Sequence, residues 1–212
     1  MSDVSDTDLL RDTGAEVPAF LKANLALLIV PSVLLGVGAA MDAWVSSLHA
    51  VAPAVVSIVK GIGWGVYFRL AMRASGGVES AGFVTPIVCM VLAFVALEYG
   101  DLALVLPVII WVLPIIDYAG MYGEGPEGAL GGVLDTLKAA PGLWLGTTFA
   151  LLVALIMFGL VLSLPMSIYS TYAHREGAWL ANLSGGVLVG PLVHVAVVFR
   201  ERLFLAIHGD PA

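Results

Sequence analysis

Residues 20–41 read FLKANLALLIVPSVLLGVGAAM, an apolar run with Lys22 as its one charge. At 1.5 Å of rise per residue, a helix of this length spans the roughly 30 Å hydrocarbon core of a bilayer. Five further runs of the same character follow at Ala52–Met72, Ala81–Glu98, Leu102–Tyr118, Leu143–Leu164 and Trp179–Phe199. The gaps between them hold most of the charge. The expected fold is therefore all-α, a polytopic transmembrane bundle of about six helices.

Composition points the same way. The 212 residues are 60% hydrophobic and 12% charged, with a mean hydropathy of +1.00, beyond the range of soluble globular domains. The expected organisation is an acidic cytoplasmic leader over residues 1–19, a six-helix membrane domain over 20–207 and a short cytoplasmic tail over 208–212. Asp3, Asp6, Asp8, Asp12 and Glu16 crowd the leader and contribute to the net charge of −7. That sign argues against nucleic acid as a partner and against a polybasic membrane clamp. No short apolar segment of signal-peptide length follows the leader, so the first run, opened by Pro18, is expected to be a retained helix. Cys89, the single cysteine, lies inside an apolar run, which leaves no disulfide framework and no thiolate metal site. No cofactor is expected. Arg outnumbers Lys, and Ala, Gly and Val are heavily used, which suggests a GC-rich prokaryotic source.

Orientation follows from the basic residues. Arg11, Lys22, Arg69, Arg73, Lys138, Arg200 and Arg202 all fall on one side of the six expected spans, whereas Arg175 alone lies opposite. By the positive-inside rule both termini are expected in the cytoplasm, which places the chain in a prokaryotic cytoplasmic membrane. Trp44, Tyr99, Tyr169, Tyr172 and Trp179 would mark the outer interface, and Tyr67, Tyr118, Tyr122 and Trp144 the inner one. The longest inner connection, Gly120 to Pro141, carries Leu130, Leu134 and Leu137 on one helical face opposite Asp135 and Lys138. It reads as a short amphipathic helix opened by Pro126, lying in the interface ahead of helix five or docking a cytosolic partner.

Small residues supply the expected packing code. The pairs Gly61 and Gly65, Gly142 and Gly146, and Gly186 and Gly190 each have the spacing that lets helix backbones approach closely. Gly61, Gly63 and Gly65 do not form a nucleotide loop, because they follow no strand and lie within an apolar run. Val84-Thr85-Pro86-Ile87-Val88 and Val189-Gly190-Pro191-Leu192-Val193 share a pattern on helices of opposite direction, as an inverted repeat or coincidence among Val-rich helices would produce.

Ionisable groups at membrane depth are the candidate functional residues, since each carries a penalty of about 2.5–3.5 kcal/mol at a helix centre unless paired or hydrated. Lys60, roughly 12 Å from the outer surface by helical rise, can snorkel toward Asp42, Glu98 or Asp101, or line a polar pore. Arg69, Asp117 and His194 fall at similar depths on three helices, about 22–26 Å from that surface. An Arg69–Asp117 pair beside His194 would be an interhelical strut or a proton relay. Enzymatic readings fail on spacing. Ser184 and His194 share one helix about 15 Å apart, and Asp101 and Asp117 are about 24 Å apart along another. No His-Glu-x-x-His segment occurs, and the four histidines are scattered over both sides, so neither a metal site nor a catalytic site is expected.

Gly190-Pro191-Leu192 followed by Val198-Phe199-Arg200-Glu201-Arg202-Leu203-Phe204 resembles the ending of a loose group of prokaryotic six-helix membrane proteins, the YciC-like proteins and the membrane region attached to some glycerophosphodiester phosphodiesterases. The resemblance extends to the helix count and the amphipathic stretch before helix five. It implies an all-helical integral membrane fold and lends no catalytic residues. Two function classes then stand open: a scaffold or accessory subunit of a membrane assembly, partnered by the bilayer and by other subunits or its own copies, and a small-solute or ion transporter with a polar path near Lys60, Asp117 and His194.

Overall fold

A computed structural model of the chain describes residues 6–45, 52–99, 102–150, 153 and 178–209. These residues form eight helices and no strand: α1 (Asp6–Ala23), α2 (Leu25–Val45), α3 (Ala52–Ala74), α4 (Val84–Tyr99), α5 (Leu102–Met121), α6 (Pro126–Ala139), α7 (141–150) and α8 (Ala178–His208). The rest of expected helix five, the outer gap at 167–177, and Asp101 lie outside the described residues.

The start of the chain differs from expectation. The acidic leader is itself helical, with Asp6 and Asp8 in the first turn of α1 and Lys22 in the last, charges placed to suit the helix dipole. Pro18 sits within α1 rather than opening the next helix. The break comes instead at Asn24, whose side-chain amide and backbone N–H both donate to the Phe20 carbonyl at 3.2 Å. Helix α1 buries Thr13 and Val17 and lies against α8. There Arg202 pairs with Glu16 and its guanidinium stands 5.6 Å from the Phe20 ring centre.

Two long contacts organise the bundle: α8 runs along α2, and α3 runs along α4. Glycine explains both. A Cβ on Gly61 would come 2.7 Å from the Val91 nitrogen, and one on Gly65 would come 2.7 Å from the Ile87 nitrogen. Both obstacles are backbone, so α3 and α4 touch main chain to main chain as the small-residue spacing predicts. At Gly190 the obstacle is the backbone of Ser32, which brings α8 equally close to α2. Gly142 and Gly146 contradict expectation. Nothing among the described residues stands within 4 Å of a Cβ on either, because α7 turns Leu143 and Trp144 inward instead. The surroundings of Gly186 are outside the description.

The connection from 120 to 141 folds as expected into a helix, α6, with Pro126 at its start, Glu127 in its first turn and Lys138 in its last. Its inward face is Ala129 and Val133, with the half-buried Leu137 beside them. Leu130 and Leu134 remain exposed. The helix therefore has two apolar faces, one on the protein and one turned outward.

Leu25–Asp42 of α2 and Ala52–Ala74, the whole of α3, are long and apolar enough to cross a membrane, and Val84–Tyr99 is apolar but shorter. Three of the helices expose apolar stripes. Leu25, Ile29, Val33 and Val37 form an exposed stripe along α2, Val55, Ile58, Val59 and Ile62 another on α3, and Val84, Val88 and Leu92 a third on α4. Arg69, Asp117, His194, Arg200 and Glu201 are buried. Contiguous exposed apolar stripes of this kind mark a contact with a membrane or with another protein.

Candidate functional site

Around the C-terminal ends of α3, α5 and α8 the core changes from aromatic to polar. Trp64, Tyr67, Phe68, Trp144 and Phe204 pack together, with Phe204 edge-on to Tyr118 at 4.9 Å between ring centres. Tyr67, Tyr118 and Trp144, expected as interfacial markers, are core residues here. Each turns toward a polar neighbour. The Tyr67 hydroxyl and His194 Nδ1 share a 2.6 Å hydrogen bond, the Tyr118 hydroxyl lies 3.1 Å from His208 Nδ1, and the Trp144 ring carries the Arg200 guanidinium 4.9 Å from its centre.

Asp117 and Arg200 form a buried ion pair across α5 and α8. Next on α8, Glu201 is fully buried and its Oε2 accepts from the Ser75 hydroxyl at 2.6 Å. Arg202 donates to the Ser75 carbonyl at 3.3 Å and to Glu16, which ties the same corner to α1. Several polar atoms in this region are buried without a hydrogen-bond partner among the described residues: Asp117 Oδ1, Arg200 Nε, Glu201 Oε1, Arg69 Nη1 and His194 Nε2.

Arg69, Asp117 and His194 are indeed buried at one end of the bundle, but they are not paired as the sequence suggests. Arg69 donates to the carbonyls of Ala81 at 2.8 Å, Val78 at 2.7 Å and Glu79 at 3.1 Å. The α3–α4 loop turns back at Gly76, whose φ of 105° suits glycine, and wraps its carbonyls around the guanidinium. That leaves Asp117 for Arg200. Lys60 meets the first of its expected partners: its ammonium pairs with Asp42, and its stem crosses Gly38, where a Cβ would come 3.3 Å from Lys60 Cε. The lysine thus reaches outward along α2.

Arg200, Glu201 and Ser75 escaped sequence reasoning because the last helix was ended at Phe199. A stripe at spacings of four and three, Gly190, His194, Val197, Glu201 and Phe204, continues past that point and is buried throughout. Following it would have put Glu201 inside. Glu201 lies beyond the expected span, and burial pushes its carboxyl up to about 8, with the Ser75 hydrogen bond acting the other way and the Asp117 charge adding to the rise. At His208, burial lowers the imidazole and Asp135 opposes that shift.

A cleft of about 250 Å³ between α1 and the end of α8 is lined by Asp12, Thr13, Glu16, Arg202 and Leu205 among others. Among the described residues no group of three or more His, Cys, Asp or Glu side chains is placed to hold a metal ion. No family model, curated protein or solved structure matches the chain.

Proposed function

We propose that the chain is an integral membrane scaffold or accessory subunit, with six spans, both termini in the cytoplasm and no catalysis of its own. The observation that carries this reading is the inverted exposure: Val, Ile and Leu stripes face outward on α2, α3 and α4 while Arg69, Asp117, Arg200 and Glu201 face inward. Lipid covers the stripes. The close α3–α4 and α2–α8 contacts at Gly61, Gly65 and Gly190 fit a rigid body held by backbone packing, and Arg200–Asp117 acts as a strut at the cytoplasmic end. One-sided Lys and Arg support the orientation. The assembly partners are other membrane subunits or further copies of this chain.

Two measurements test it. In a Cys89→Ala background, a membrane-impermeant thiol reagent added outside should label Ser170→Cys and spare Ser5→Cys; the opposite pattern overturns the topology. Gentle detergent extraction from native membranes should yield a particle larger than the 22.1 kDa chain and its detergent, whereas a lone monomer overturns the scaffold. A second reading, a small-solute or ion carrier with a path by Lys60, Asp117 and His194, draws support from the unpartnered buried atoms of Asp117 and His194. Solute flux into vesicles containing the purified monomer would favour it.

A further inference from the structure

The corner built by α3, α5 and α8 has a charge imbalance that packing alone does not resolve. Asp117 and Glu201 are both fully buried, Arg200 pairs with Asp117, and the charges of Asp117 and Arg200 both reach Glu201. With both carboxylates ionised the cluster would carry one negative charge too many in a site shut off from water, a state proteins avoid by neutralising the group. Among the described residues these polar groups surround Glu201, with His194, which is bonded to Tyr67, two stripe positions earlier on α8. From α3 come the Tyr67 phenol, within electrostatic reach, and Ser75 just past the helix end. Asp117 comes from α5 and Arg200 from α8 itself. Arg202 is turned to Glu16 and the Ser75 carbonyl, Arg69 to the loop carbonyls, and Arg73 to Glu79. None of these supplies a second cation to the carboxylates.

We propose that Asp117, Arg200, Glu201 and Ser75 form a binding site for a single proton, carried on Glu201 and exchanged with the aqueous phase at this end of the bundle. The assignment to Glu201 follows from the partners. Asp117 takes the guanidinium, while Glu201 has among the described residues only the Ser75 hydroxyl, which donates or accepts equally well. Its second oxygen, Oε1, is buried without a partner, as is Asp117 Oδ1. One proton from water added to the Glu201 carboxylate gives a neutral cluster, and its return to water restores the charge. The site goes beyond a strut, because it binds and releases a ligand, and it does not depend on which assembly the chain serves.

Infrared titration of the full-length protein in nanodiscs tests this. The wild type should show the carbonyl stretch of a protonated carboxylic acid at neutral pH, lost on alkaline titration as one proton leaves. That band should vanish in Glu201→Gln. In Asp117→Asn it should titrate at a pH about 1–3 units lower, because the freed Arg200 then favours ionised Glu201. Ser75→Ala, which keeps both carboxylates and serves if Glu201→Gln fails to fold, should shift the band's frequency without removing it. Absence of the acid band in the wild type at neutral pH, its survival in folded Glu201→Gln, insensitivity to Ser75→Ala, or a band that responds to sodium in place of choline at fixed pH would each overturn the proposal.

Discussion

Asp117 faces a single cation, Arg200, and the pair is closed to solvent. Removing one partner strands the other, so Asp117→Ala should destabilise by about 3–5 kcal/mol. The double change Asp117→Ala with Arg200→Met should lose less than the sum of the singles, which unfolding of all three variants in detergent measures. Glu201 makes a second, pH-dependent contribution. Its carboxyl rises from an ordinary value of 4.5 to about 8 on folding, so the folded state holds a proton that the unfolded state has released. That stability is complete below pH 4.5 and falls as pH rises through about 8. The thermal midpoint should therefore drop over this window, and Glu201→Gln should flatten the drop. Which carboxylate meets which cation was not legible in the sequence. Depth along a helix pointed to Asp117, Arg69 and His194, and all three are buried, but the carbonyls of a loop, 75–83, hold Arg69 while Asp117 pairs with Arg200.

Helices α3 and α4 owe their contact to Gly61 and Gly65, where an added methyl meets the Val91 and Ile87 main chain. Backbone cannot rotate aside as a side chain can. Gly61→Ala should thus destabilise by about 1–3 kcal/mol, whereas Gly146→Ala, with open space around it, should be neutral or stabilise by up to about 1 kcal/mol through helix propensity. Parallel melting curves distinguish the two. The same comparison shows what spacing alone can convey. All three small-residue pairs looked equivalent, yet Gly142 and Gly146 face away because Leu143 and Trp144 give α7 a better surface to bury. Likewise α6 was readable from Pro126 and its leucines, but the inward face turned out to be Ala129 and Val133. Val133→Asp should consequently reduce folded yield more than Leu134→Asp. Pro18 misplaced the first boundary, since Asn24 ends α1 by bonding to the Phe20 carbonyl.

At the scale of the molecule, hydropathy made the all-α class plain from the first apolar run, and the structure adds which faces of α2, α3 and α4 are exposed and which charges are buried. The outward stripes of α2, α3 and α4 are the feature on which the proposed membrane embedding rests. Spin labels at Val33→Cys, Ile62→Cys and Leu92→Cys, each in a Cys89→Ala background reconstituted in lipid vesicles, address this directly. An inverted bundle requires all three to collide freely with dissolved oxygen and to be shielded from an aqueous nickel chelate. Free access of the chelate to these three positions would contradict a membrane-embedded fold.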